Sequence, residues 1–213
     1  MRTIDTEADL RAATAELLRR EPRFAGVVAA HGAPPLRRMD GGLAGLLRIV
    51  TDQLISLQAG AAIWRRIEAE LAPFDAARIA RKREKSLMGL GLSGAKARTF
   101  KAVASAVSKG SLDFANLERL ADREVLRSLT TLKGIGLWTA EIYLLSAMGR
   151  TDAWPAGDLA LQAAAQDLFV LATRPDPRKL ETMAENWRPW RAVAARLLWS
   201  HYRGLKGMSQ VVA

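Results

Sequence analysis

The stretch Leu132-Lys133-Gly134-Ile135-Gly136-Leu137-Trp138-Thr139-Ala140 is followed downstream by Trp154-Pro155-Ala156-Gly157-Asp158. Because glycine adopts positive φ without a Cβ clash, two glycines separated by one residue indicate a tight turn. The apolar residues after the second glycine are typical of a helix that begins at Leu137. A short helix that Asp122 caps and that ends near Thr130 is predicted before the turn, so the segment is predicted to form a helix-hairpin-helix.

A helix that begins at this turn exposes backbone N–H groups that its own carbonyls do not bind. These groups and the helix dipole together favour an anion, and a nucleic-acid phosphate is the natural occupant. Such a site holds the DNA backbone without reading bases. The alternative is that the glycines only end one helix and start the next. The DNA-contacting residues predicted here are Lys133, Gly134, Ile135, Gly136 and Thr139.

Asp158 precedes an apolar helix, and two interpretations of it are compatible. Aspartate is a favoured N-cap, and most such residues do nothing else. As a cap, Asp158 also places a negative charge at the positive end of the helix dipole. A fixed carboxylate beside a deoxyribose would stabilise the positive charge that develops when an N-glycosidic bond breaks.

The composition favours a polyanionic partner and excludes several kinds of site. The 213 residues carry a net charge of +10, which suits nucleic acid, although a generally arginine-rich protein would show the same excess. The absence of cysteine excludes disulfides and iron–sulfur clusters within this chain. The two histidines, His31 and His201, argue against a zinc site, so no metal bound by side chains is expected. No cofactor is expected, although the turn carbonyls could hold a monovalent cation, K or Na, that bridges to a phosphate.

No stretch of the sequence has the length and apolar content of a membrane span, and the N-terminus lacks the order of a signal peptide. We therefore expect a soluble, cytoplasmic protein that associates with the nucleoid of a bacterium and has no membrane partner.

The apolar periodicity predicts an all-α protein. A first helix runs from about Thr6 to Arg20, a second follows Pro22, and a long apolar helix is predicted from Leu43 to about Leu71. The stripe that supports the long helix comprises Leu46, Leu47, Val50, Leu54 and Leu57. The remaining predicted helices are Ala95 to Ser108 with Ser93 as cap, Leu137 to Met148, Leu159 to about Leu171, and Pro189 to Tyr202.

The turn and the Pro155-Ala156-Gly157-Asp158-Leu159-Ala160-Leu161 segment resemble the signatures of the helix-hairpin-helix DNA glycosylase superfamily. Within it, the chain is similar to DNA-3-methyladenine glycosylase II, the alkylation-repair branch. Weaker matches are Asp52-Gln53-Leu54-Ile55-Ser56, Gly91-Leu92-Ser93-Gly94-Ala95-Lys96-Ala97 and Trp187-Arg188-Pro189-Trp190-Arg191. The resemblance extends over roughly residues 20–204.

The resemblance implies a two-lobed helical fold with the active site in the cleft between the lobes. One lobe would comprise residues 40–149, and the other residues 1–39 together with 150–213. It also implies a monomer that acts on double-stranded DNA containing alkylated bases, with Asp158 as the catalytic residue. Asp158 would stabilise an oxocarbenium-like transition state or deprotonate the attacking water, and the sequence leaves both roles open.

Relatives that also cut the DNA strand carry a lysine two residues after the second turn glycine, and that amine forms a Schiff base with the sugar. Here the position is Trp138, which favours a monofunctional glycosylase that hydrolyses the N-glycosidic bond in base excision repair. Two alternatives are a non-catalytic DNA-binding module and a bifunctional glycosylase-lyase for oxidised bases. Four lesions stay open as the preferred substrate: 3-methyladenine, 7-methylguanine, etheno-adenine and hypoxanthine.

The resemblance assigns further roles. Trp138 and Trp199 match positions that line the base pocket, and Ile142 replaces a further pocket aromatic, with Tyr143 beside it. Leu54 matches the residue that intercalates when the base is extruded, although it also fits a buried helix position. Gln53 and Lys96 are expected DNA contacts.

Overall fold

The computed structural model describes residues 2–207, which form two compact units. One unit contains the described residues up to Arg38 and those from Gly149 onward, and the other is Met39–Met148. Met1 and residues 208–213, which are predicted to belong to the lobe formed by residues 1–39 and 150–213, lie outside the described residues. Within residues 2–207 the only extended pairing is an isolated antiparallel bridge between Thr3 and Arg150.

The unit that contains both ends of the described chain has five α-helices. They are α1 (Glu7–Arg20) and α2 (Phe24–His31) at its start, and α11 (Leu159–Leu168), α12 (Pro177–Ala184) and α13 (Arg191–Leu205) after residue 149. Thr6 caps α1 in a reciprocal capping box with Asp9. The apolar residues Leu10, Ala13 and Leu17 of α1 are buried. Helix α13 is buried along most of its length.

The middle unit contains the other eight α-helices. They are α3 (Gly42–Asp52), α4 (Leu57–Leu71), α5 (Ala76–Arg81), α6 (Glu84–Met88), α7 (Gly94–Ser108), α8 (Phe114–Leu117), α9 (Asp122–Thr130) and α10 (Leu137–Ile142). Helix α10 continues as a π-helical turn, Tyr143–Ala147, before Gly149 with φ +67 ends it. The predicted regular helix over 137–148 therefore holds only for its first half.

The single helix predicted over residues 43–71 is wrong. Helix α3 ends at Asp52, and Ser56 starts α4 by accepting a hydrogen bond from the Ala59 N–H at 3.2 Å. The stripe residues before the break are buried, whereas Leu54 is 100% exposed and Leu57 61% exposed. The apolar periodicity continues across this turn and therefore gives no sign of the break between the two helices.

Smaller boundaries also differ from the prediction. Ala121, not Asp122, occupies the N-cap of α9, and its N–H donates to the Glu124 carboxylate at 3.1 Å. Helix α13 begins at Arg191, two residues later than predicted. The short helices α5, α6, α8 and α12 were not predicted, because four to eight residues carry little periodicity and depend on caps such as Asp75 and Asp176.

No helix within residues 2–207 has both the length and the apolar content needed to cross a membrane. Across the same residues, no three His, Cys, Asp or Glu side chains come together in a way that could hold a metal ion.

Candidate active site and DNA contacts

Asp158 is the N-cap of α11, and three N–H groups converge on one of its carboxylate oxygens. Oδ1 accepts from the backbone N–H of Ala160 at 2.9 Å and of Leu161 at 3.0 Å. The indole Nε1 of Trp199, on α13, donates to the same oxygen at 3.2 Å. Two helices therefore hold the carboxylate in one orientation, and the N-cap prediction is confirmed.

Two contacts anchor the loop before Asp158, one between two aromatic rings and one from a side-chain amide. Trp154 is 3% exposed and packs edge-to-face on Trp187, with ring centroids 5.4 Å apart. Gln162, one turn into α11, donates from Nε2 to the Ala156 carbonyl at 3.0 Å. These contacts leave the backbone that enters Asp158 little freedom to move.

Arg191, the last residue of the Trp187-Arg188-Pro189-Trp190-Arg191 match, links two segments of the chain near Asp158. Its buried guanidinium donates from Nε to Asp152 Oδ1 at 2.8 Å and from Nη1 to Glu181 Oε1 at 2.7 Å. Arg191 thus ties the segment that precedes the Asp158 loop to the first residue of α13, the helix that carries Trp199. Asp152 and Arg191 are 39 residues apart, so no local pattern could indicate the pair.

In the predicted hairpin only one of the two glycines needs positive φ. Gly134 has φ +87, and a Cβ on it would lie 1.8 Å from Oγ1 of Thr99 on α7. Gly136, the N-cap of α10, has φ −88, and a Cβ there would meet nothing within 4 Å. Gly134 is therefore required by the turn itself, whereas the fold places no such demand on Gly136.

Of the other residues of the turn, Ile135 is buried, whereas Lys133 and Gly136 are exposed. Ile135 is 4% exposed, and its N–H donates to the Leu132 carbonyl at 3.0 Å. Both its side chain and its N–H are therefore used inside the protein, and the contact of Ile135 with DNA stays a prediction. Lys133 is exposed, as are Gly136 and Leu137 at the helix start, where first-turn N–H groups lack intrahelical acceptors.

Leu54 lies in the turn between α3 and α4, with its side chain fully exposed and φ +56. The alternative that it belongs to the core is wrong. Its neighbour Gln53 donates from Nε2 to Oγ1 of Thr139 at 2.7 Å, and Thr139 is 2% exposed. The side chains of Gln53 and Thr139, both predicted to contact DNA, bind each other.

The side chain of Lys96 also makes hydrogen bonds within the protein. Its Nζ donates to the backbone carbonyls of Thr51 and Gln53, each at 2.7 Å. Burial lowers the pKa of the Lys96 ammonium, and the nearby Asp52 carboxylate acts in the opposite direction. Lys96 therefore supports the turn that carries Leu54, and its contact with a phosphate stays a prediction.

The residues assigned to the base pocket occupy both units. Trp138 and Ile142 lie on α10, Trp199 lies on α13, and all three are half-buried. Tyr143 is 3% exposed, and its phenol oxygen accepts from the Gly42 N–H at 2.8 Å. Burial raises the pKa of Tyr143 to about 12. Tyr143 therefore belongs to the interior of the middle unit and does not substitute for the aromatic that Ile142 replaces.

Comparison with known proteins gives consistent results. An alkylbase DNA glycosidase-like protein, mag2, from Schizosaccharomyces pombe is 28% identical over 160 residues, which cover 73% of this chain and 75% of that protein. DNA-3-methyladenine glycosylase 1 of the same organism is 30% identical over 158 residues, 72% of this chain and 69% of the relative.

Among solved structures, the 3-methyladenine DNA glycosylase Mag1 of Schizosaccharomyces pombe in complex with abasic DNA superimposes with a TM-score of 0.76. It is 26% identical and covers 88% of this chain and 91% of its own. The sequence profile of one family matches residues 47–191, which contain the hairpin, Asp158 and Arg191. This chain therefore belongs to the HhH-GPD superfamily of base excision DNA repair proteins.

Proposed function

We propose that this protein is a monofunctional DNA glycosylase that hydrolyses the N-glycosidic bond of alkylated purines of the 3-methyladenine type in double-stranded DNA. The observation that carries the proposal is Asp158, whose Oδ1 is held by two backbone N–H groups and the Trp199 indole. A residue that served only as a cap would not need a donor from a second helix. The names of the relatives support the same substrate class.

The carboxylate acts on the sugar. When the bond between C1′ and the base nitrogen breaks, the electron pair leaves with the base and positive charge develops on the deoxyribose. The fixed charge of Asp158 stabilises that transition state, and electrostatic stabilisation of this kind is commonly the largest catalytic contribution. Water then bonds to C1′, and its proton passes to Asp158 or to solvent. A cationic alkylpurine leaves as a neutral base, so no second acidic group is required.

Two tryptophans are assigned to the base. The electron-rich faces of Trp138 and Trp199 attract a positively charged alkylpurine by cation–π contact, which contributes about 0.5–2 kcal/mol. Ile142 stands where the alkylation branch has an aromatic residue, so we expect the range of lesions to be set partly by this position.

The decisive variant is Asp158→Asn, because asparagine is an equally good N-cap and preserves the fold. We expect excision from methylated DNA to fall at least about 100-fold, with unchanged affinity for abasic-site DNA. The matched control is Asp176→Asn, which alters the N-cap of α12, where the carboxylate accepts from the Lys179 N–H at 2.7 Å. Normal excision by Asp158→Asn would refute the proposal.

Two assays separate the alternatives. A non-catalytic DNA-binding module would leave no alkali-labile sites in alkylated DNA, whereas a glycosylase leaves strand breaks at the damaged purines. A bifunctional lyase would form a borohydride-trapped adduct. We expect none, because the indole of Trp138 has no nucleophilic amine.

The remaining expectations belong to the same proposal. The protein acts as a monomer in the cytoplasm of a bacterium, at the nucleoid. The backbone carbonyls around Gly134 are hard oxygen donors, which suit K or Na, and such an ion would lend positive charge to the phosphate contact. DNA affinity that is lower in choline chloride than in KCl of equal ionic strength would support the ion, and equal affinities would exclude it.

A further inference from the structure

One face of α7 supports both segments assigned to DNA contact. Lys96 and Thr99 are three residues apart, which places them on the same side of the helix. Thr99 Oγ1 occupies the space where a Cβ on Gly134 would fall, so α7 lies directly behind the hairpin turn. Lys96 Nζ reaches the carbonyls of Thr51 and Gln53. Both turns are therefore positioned against a single helix.

The Lys96 ammonium is bound where α3 ends. The last carbonyls of a helix have no donors within the helix and lie at the negative end of its dipole. Lys96 supplies a donor to the Thr51 carbonyl, inside the last turn of α3, and to that of Gln53, its C-cap. A positive charge at this place stabilises the end of α3 and the direction in which the chain leaves it.

The chain that leaves α3 adopts a conformation that needs support. Leu54 follows with φ +56, and such a left-handed conformation is unfavourable for a residue with a Cβ. It persists only where the surroundings hold it. Here the residue before Leu54 is held twice: the Gln53 carbonyl accepts from Lys96, and the Gln53 amide donates to Thr139 on α10.

Asp52, the last residue of α3, packs against the start of α4 on the other side of the turn. Its Oδ2 accepts from Arg48 Nε at 2.8 Å, and α4 approaches so closely that a Cβ on Gly60 would lie 2.1 Å from Asp52 Oδ1. Leu54, between these contacts, has a fully exposed side chain. An exposed leucine at positive φ is unfavourable in the free protein, and strained or exposed apolar positions of this kind concentrate at binding sites.

We propose that Lys96 is a positioning residue for base extrusion, whose ammonium fixes the Gln53–Ser56 turn so that Leu54 is ready to fill the space that the extruded base leaves. This inference rests on the proposed function, since Leu54 is a wedge only if the protein extrudes bases. A turn that is ordered before binding avoids the entropy cost of ordering it on DNA. Lys96 acts through Leu54 and does not touch the substrate.

The test compares the same lesion in two contexts. Extruding a base costs more free energy from a normal pair than from a mismatch. Single-turnover excision of 3-methyladenine is therefore measured opposite thymine and opposite a mismatched base. For Lys96→Met, which keeps most of the aliphatic stem, we expect a loss of about 10- to 100-fold on the paired lesion and a several-fold smaller loss on the mismatch.

Lys101→Met is the matched control. Lys101 lies on the same helix, and its Nζ also donates to two backbone carbonyls, those of Ala80 at 2.9 Å and of Lys82, at the end of α5. We expect a comparable loss of thermal stability and equal effects on both substrates. If Lys96→Met also impairs both substrates equally, Lys96 has only a structural role and the proposal is wrong.

A double-mutant cycle shows whether Lys96 acts through the wedge. Leu54→Ala is expected to lower excision of the paired lesion, and adding Lys96→Met should then cost less than about 2-fold. Independent, multiplying effects would overturn the proposal. So would a change of about 0.9 in the log–log salt dependence of DNA affinity, which indicates a lost phosphate contact. Wild-type protein that excises neither substrate would instead refute the proposed function.

Discussion

Trp199 donates a hydrogen bond from its indole Nε1 to Oδ1 of Asp158 at 3.2 Å, and the two residues lie on different helices. The same oxygen caps α11. A tryptophan assigned to the base therefore also orients the carboxylate assigned to the sugar, so substitutions of Trp199 should affect the chemical step as well as binding.

Trp199→Phe is expected to lower single-turnover excision about 10-fold, because it keeps an aromatic face and removes one donor to a charged acceptor, an interaction that contributes about 1.5–3 kcal/mol. Affinity for abasic-site DNA should not change. Trp190→Phe is the control, since the Trp190 Nε1 has no hydrogen-bond partner in the described structure. A normal excision rate for Trp199→Phe would show that only the ring matters.

The two hairpin glycines should respond differently to alanine. Gly134→Ala forces a Cβ against Thr99 at φ +87, and we expect it to lower the free energy of unfolding by about 1–3 kcal/mol and to weaken DNA binding. Urea denaturation and binding to abasic-site DNA measure the two effects.

Gly136→Ala should fold normally, because its Cβ meets no protein atom. If a DNA phosphate approaches this backbone, the added methyl will weaken binding without changing stability. Wild-type affinity for Gly136→Ala would place the phosphate elsewhere.

Tyr143→Phe tests the buried phenol by its pH dependence. The pKa of Tyr143 is about 12 in the folded protein and about 10 in an unfolded chain. The stability that the neutral phenol contributes is therefore complete below pH 10 and is lost as pH rises towards 12. At pH 8 the variant should be less stable by about 1 kcal/mol, because the Gly42 N–H loses its acceptor.

At pH 11 the difference in unfolding free energy between the wild type and Tyr143→Phe should shrink or reverse, since only the wild type has a phenol to ionise. Urea unfolding of both proteins at the two pH values measures this, and the titration of all other groups cancels. A constant difference would contradict the burial of Tyr143.

Arg191→Met should destabilise the protein by about 1.5–3 kcal/mol, because Asp152 loses its buried partner and keeps only the more exposed Arg188. The comparison is Arg19→Met, which removes an exposed ion pair with Glu16 and should cost at most about 1 kcal/mol. Thermal and urea unfolding measure both. Similar small effects would mean that Arg191 does not hold the segment before Asp158.

Much of the fold was predictable because the signals were local. Thr6, Ser93 and Asp158 each cap the helix that follows them within three residues, and the apolar period of α1 and α3 matches their buried faces. The break at residues 53–56 was not predictable in this way, because the apolar period runs through it and the residue that braces it, Lys96, is 43 residues from Gln53.

The sequence by itself determined the all-helical class, the hairpin before α10, the cap at Asp158 and, through Trp138, the expected reaction type. Only the tertiary structure decided which of the predicted site residues make contacts within the protein and which are exposed. It places Ile135, Gln53, Thr139 and Lys96 in internal contacts and leaves Leu54 exposed. The physical reason is that capping and periodicity act within one or two turns of chain, whereas a hydrogen-bond partner or a buried neighbour is supplied by residues distant in sequence.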